Sequence, residues 1–95
     1  MSETLSPQLL RRNSSIEEAP LHHELMLFHP DSSQFFVLNR TMAFTWKRLE
    51  SAASIDDIAA GIAETFDGVT VDAATADVRK AVDELLALGL IEPNV

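Results

Sequence analysis

A chain of 95 residues with 46% hydrophobic content has the size of one domain and the apolar material for one packed core, which excludes both a multi-domain enzyme and a disordered tail. Fifteen acidic residues against seven basic ones leave a formal net charge of -8, which repels phosphate backbones and anionic lipid surfaces and argues against nucleic acid and membrane as partners. The absence of cysteine removes disulfides, thiolate nucleophiles and thiolate metal sites.

Residues 1–8 are polar around a single Leu5 and read as a flexible leader into a domain of residues 9–95. They lack the basic-then-apolar order of a signal peptide, and no apolar run approaches the roughly 20 residues that span a bilayer, so a cytoplasmic location is expected. Three short stretches read as strands, at residues 9–16, 24–28 and 34–38. The cluster His29-Pro30-Asp31-Ser32-Ser33 makes a hairpin turn between the last two. Phe35-Phe36-Val37 is the strongest β-forming segment, because aromatic and β-branched side chains suit a pleated, half-buried surface.

At Asn39 the apolar period changes from two to three and four. Asn39 can cap a helix over 40–50 with Met42, Ala43, Trp46 and Leu49 on one stripe. Ser54 and Asp57 resemble a capping box for a second helix over 55–65, followed by Asp67-Gly68 as its exit turn. A third helix is predicted over 73–88 with Asp72 as its cap. Gly89 would close it in a left-handed conformation, with Leu90 packing back on Leu85 as in a Schellman motif. The resulting order is β, β, β, α, α, α: an α+β fold of three antiparallel strands followed by three helices, compatible with a winged helix-turn-helix-like arrangement.

Catalytic constellations fail for want of residues. Gly61, Gly68 and Gly89 are isolated, so no phosphate-cradling loop or dinucleotide fingerprint exists. His22 and His23 would point to opposite faces of a strand and cannot both face one metal without an irregular turn; with His29 they could assemble a site only by folding, and a zinc site would want three or four converging ligands. The acidic pairs at 17–18, 56–57 and 83–84 fan out around their elements as solvated surface. Trp46 shares its stripe with Met42 and Leu49, which makes it a core residue rather than a ligand platform. The reading is a non-enzyme with no cofactor.

The place left for function is the sheet edge, because unpaired amides and carbonyls there can accept a partner strand. If the 34–38 strand lies at an edge beside the third helix, it forms one wall of a groove and Val78, Ala81, Val82 and Leu85 form the other. Ala74 and Ala81 would leave room between the walls. Val82 and Leu85 are the members most expected to be core.

The run Phe36-Val37-Leu38-Asn39-Arg40-Thr41-Met42-Ala43-Phe44-Thr45-Trp46-Lys47-Arg48-Leu49 resembles the LN-x-T-x-A-x-x-W-x-x-L segment of PqqD-like proteins, the RiPP recognition elements. Ser54-Ile55, Ile58-Ala59, Phe66-Asp67, Asp77-Val78 and Leu88-Gly89-Leu90-Ile91 follow in matching order, so the resemblance covers about residues 9–92. It implies a non-catalytic peptide chaperone that binds the leader of a ribosomally made precursor by strand addition and presents it to a modifying enzyme, such as a radical SAM enzyme or a leader peptidase. The implied contact residues are Gln34, Phe35, Phe36, Val37 and Leu38, facing Ala74, Val78, Ala81, Val82 and Leu85. Asp77 would serve as the partner of a basic leader residue. The segment at 50–53 departs from the family in lacking Asp-Gly, and 28–31 differs from the hairpin of members dedicated to pyrroloquinoline quinone. The client can therefore be that quinone's precursor or another peptide. Edge exchange between two copies is a further use of the same strand. The alternative is a winged-helix regulator or interaction module, against which the third helix sets Asp77, Asp83 and Glu84 beside Arg79 and Lys80.

Overall fold

The computed structural model describes residues 8–22 and 24–94. The expected flexible leader, Gln8 excepted, and His23 lie outside them. Among the described residues, five strands and three helices follow in the order β1 (Leu10–Arg12), β2 (Glu17–Pro20), β3 (Leu25–His29), β4 (Gln34–Leu38), α1 (Arg40–Arg48), α2 (Ile55–Thr65), α3 (Val71–Ala87) and β5 (Ile91–Pro93). Strands β2, β3 and β4 form an antiparallel sheet in that order, while β1 pairs with β5 in a separate two-stranded sheet.

The three-stranded antiparallel sheet and the three helices are those the sequence predicts, but the strand expected over 9–16 is corrected. Its beginning, β1, does not join the main sheet: it pairs with β5, and Leu10 exchanges both main-chain hydrogen bonds with Ala53. The first strand of the main sheet is instead Glu17–Pro20, whose charges and proline conceal its β character. The segment between them turns at Asn13, whose side chain donates to the Gly89 carbonyl at 3.0 Å.

Helix starts follow their caps. Asn39 accepts from the Met42 amide at 2.8 Å, and Ser54 and Asp57 form a complete reciprocal capping box. The start of α3 is also corrected. Thr70, not Asp72, accepts from the Ala73 amide, so Asp72 lies inside the first turn, where its charge favours the helix dipole. At the other end the Leu90 amide donates to the Leu85 carbonyl and the Gly89 amide to that of Leu86, which is the Schellman pair.

Gly89 has φ +75, and a Cβ there would stand 3.2 Å from His29 Nε2 of β3. Gly89→Ala is therefore expected to cost about 1–2 kcal/mol from the left-handed backbone alone, with a thermal midpoint lower by about 4–16 °C. An unchanged midpoint in calorimetry would show that this turn does not hold its conformation. A Cβ on Gly61, inside α2, would stand 3.3 Å from the Phe44 ring, so the glycine that weakens α2 lets α1 and α2 approach.

The core lies between the helices and one face of the main sheet. Leu25, Leu27 and Leu38 from the strands meet Met42, Trp46 and Leu49 of the α1 segment, Ile58, Ala59 and Ile62 of α2, and the apolar stripe of α3. Trp46, 1% exposed, donates from Nε1 to Glu18 of β2 at 2.9 Å. Arg12 of β1 stacks over the same indole at 4.6 Å, donates to the Trp46 carbonyl and pairs with Glu18 at 3.2 Å. Both sheets are thereby tied to α1 through one side chain.

Candidate functional site

The site follows from the alternation of β4. Because successive side chains point to opposite faces, Leu38 and Phe36 turn toward the helices, while Phe35 and Val37 turn away. The burial agrees: Leu38 is 3% exposed and Phe36 packs on the core, whereas Phe35 is 62% and Val37 54% exposed. Gln34, at the hairpin end, is exposed. Phe35 is supported from within the sheet by Phe28 of β3, with ring centroids 4.7 Å apart.

The two edges of the sheet differ. β2 reads Glu-Glu-Ala-Pro and carries the devices that deter pairing, two charges and a proline. β4 reads Gln-Phe-Phe-Val-Leu, with no charge, proline or glycine, and among the described residues no strand pairs with its outer edge. An apolar, unguarded edge of five residues can take up another strand.

On the helix side, Ala74, Val78, Ala81, Val82 and Leu85 are all buried in the domain's own core, each at 5% exposure or less. α3 packs through this stripe on α2 and α1. The expectation of core roles for Val82 and Leu85 thus extends to the whole apolar stripe. What α3 offers to solvent beside it is a polar flank in which Asp77, Lys80 and Glu84 recur at helical spacing.

Asp77 lines a cavity of about 370 Å³ with Arg40 and Thr41 from the start of α1, Ile62 from α2, Phe66 at its C-terminal cap, and Asp67 and Val69 from the loop beyond. A larger open cleft of about 660 Å³ lies between the β2–β3 connection and α1, where Glu18, Glu24, Ala43, Phe44 and Lys47 contribute. Arg40 and Phe66 border both, with the guanidinium 5.0 Å from the ring centroid. The sequence pattern does not mark Arg40 or Phe66 as lining residues. A signal existed for Arg40, which stands two residues beyond β4. Among the described residues no three His, Asp or Glu side chains converge as a metal site, and no helix is long and apolar enough to cross a membrane.

A small sheet with one guarded and one open edge is thus backed by three helices. Residues 24–91 match the family model of coenzyme PQQ synthesis protein D (PqqD), and the chain belongs to that family. Two solved structures share its fold. TbiB1 in complex with the TbiA(beta) leader peptide is 20% identical and superposes with a TM-score of 0.78 over 90% of this chain and 98% of that one. A lasso peptide synthetase B1 complexed with the leader peptide is 24% identical, with a TM-score of 0.74 over 88% of this chain and 98% of that one. None of the curated proteins matches the sequence.

Proposed function

We propose that this chain is a RiPP recognition element: it binds the leader of a precursor peptide as an added strand on β4 and presents it, without catalysing a reaction itself, to a modifying enzyme. The observation that carries this reading is the contrast between the two edges, β2 with Glu17, Glu18 and Pro20 and β4 with an uncharged Gln-Phe-Phe-Val-Leu. Family membership and two leader-bound structures of the same fold support it.

Main-chain hydrogen bonds from β4 supply affinity that tolerates sequence variation, and side chains beside the strand select among leaders. In this reading Gln34 to Leu38 form the strand wall. The helix wall is the flank of α3 around Asp77, with Ala74, Val78, Ala81, Val82 and Leu85 setting its position from beneath. Asp77 and Asp67 outnumber the Arg40 guanidinium around the cavity formed with Ile62, Phe66 and Val69, a combination that suits a basic side chain with a long apolar stem. A radical SAM enzyme or a leader peptidase fits the role of the enzyme that receives the peptide.

The regulator alternative is not favoured, since the exposed surface of α3 sets Asp72, Asp77, Asp83 and Glu84 against only Arg79 and Lys80. Titration of isotopically labelled protein with the leader of the precursor encoded beside its gene tests the reading. Amide shifts are expected at residues 34–38 and along the 77–84 flank. A saturating titration with those amides unmoved would overturn it.

A further inference from the structure

The sheet has apolar side chains on both faces, and only one of them is used by the core. The register places Glu17 opposite Phe28 and Phe28 opposite Phe35, and likewise Ala19 opposite Met26 and Met26 opposite Val37. These two rows lie on the face away from Leu27 and the helices, because Leu27 and its row partner Glu18 point toward Trp46. Met26 and Phe28 are half-buried within their rows, whereas the β4 members, Phe35 and Val37, are more than half exposed. Each row thus ends at the open edge with a large apolar side chain that has a neighbour on one side only.

We infer that the outward face of β4 reads the peptide as well: Phe35 and Val37 select a segment that carries aromatic or β-branched side chains at two positions, i and i+2, on its solvent side. The inference rests on the strand-addition reading, and continuity with that edge identifies the occupant. A strand added to β4 extends both rows by one residue, so its alternate side chains stand about 5 Å from Phe35 and Val37 and cover their open side. Polar side chains at those two positions stay in water and add no apolar contact, so the exposed Phe35 ring and Val37 gain nothing from them. The leader is then recognised from both sides, the intervening residues facing the α3 flank and the i and i+2 pair facing outward. This also accounts for an exposed Phe-x-Val pair on an edge that no charge protects.

Selection from a displayed library of random 16-residue peptides, run in parallel on the native protein and on the double variant Phe35→Thr/Val37→Thr, tests the inference. Threonine keeps the β preference and leaves the buried face untouched, so folding is preserved. Native selection is expected to enrich aromatic or β-branched residues at an i, i+2 spacing, and the double variant to lose that enrichment. A synthetic enriched peptide should bind the double variant roughly tenfold more weakly while still shifting the β4 amides. Equal affinity for both proteins, with β4 amides shifting in each, would overturn the outward pair and leave strand addition standing. Enriched peptides that shift no β4 amide would overturn both. A native dimer that the double variant dissociates, with peptide affinity unchanged, would assign the face to a second copy of the chain and overturn the inference.

Discussion

Trp46→Ala should remove about 3–5 kcal/mol of stability, the range for truncating a buried aromatic side chain to alanine. Against the 5–15 kcal/mol that holds a domain of this size, such a loss is at least about a fifth of the total and at the low end removes it entirely. Trp46 is 1% exposed and joins three elements: its ring fills the core under β3 and β4, its Nε1 donates to Glu18 of β2, and its other face supports the Arg12 guanidinium of β1. Alanine would open a cavity, leave Arg12 without its stacking surface and release β2 from α1. Urea unfolding followed by circular dichroism reads the effect directly. A loss below about 1 kcal/mol would be incompatible with a core tryptophan. Trp46→Phe separates the contributions: it keeps most of the volume but not the Glu18 bond, and should cost about 1 kcal/mol from that bond because the partly exposed Glu18 carboxylate can turn to water.

Peptide binding should be lost, by at least about a hundredfold, when proline replaces the β4 residue whose amide points to the open side. In an edge strand successive amides alternate between the neighbouring strand and the outside, so of Phe36 and Val37 one donates to β3 and the other is free for a partner. Phe36→Pro and Val37→Pro therefore form an internally controlled pair. The variant that loses a β3 bond should unfold at lower temperature. The other should keep its thermal midpoint within a few degrees and fail to bind the leader in calorimetry. If a folded proline variant at each of these positions bound as tightly as the native protein, β4 would not be the docking strand.

Much of the architecture is legible residue by residue, because it depends on local chemistry. Asn39, Ser54 and Gly89 mark helix ends through hydrogen bonds made within four residues of sequence, and each acts as its side chain or missing Cβ requires. The β4 segment is evident from Phe35-Phe36-Val37, and Trp46 from its place on the α1 stripe. The motif from Phe36 to Leu49 carries the family. Where two local signals compete, as between Thr70 and Asp72, the sequence alone selects the wrong cap, since both residue types accept from a helix amide and their distance to the first turn decides.

Everything that depends on pairing across the chain was decided in three dimensions. Glu17–Pro20 becomes a strand because Glu18 is held by Trp46 and Arg12 and because β3 supplies its ladder, neither of which a propensity for Glu or Pro can register. β1 leaves the main sheet for β5, more than seventy-five residues away, through Leu10 to Arg12 and Ile91 to Pro93. The candidate site divides along the same line. The sequence by itself names β4 as the apolar strand and α3 as the expected second wall, and it assigns residues 34–38 to one contact wall without dividing them by face. Only the tertiary structure decides which of those faces is covered and that the stripe of α3 from Ala74 to Leu85 is consumed by α1 and α2. It also decides that the helix meets solvent through Asp77 and its neighbours. The physical reason is that burial belongs to the arrangement of elements, whereas amphipathicity and capping belong to the chain.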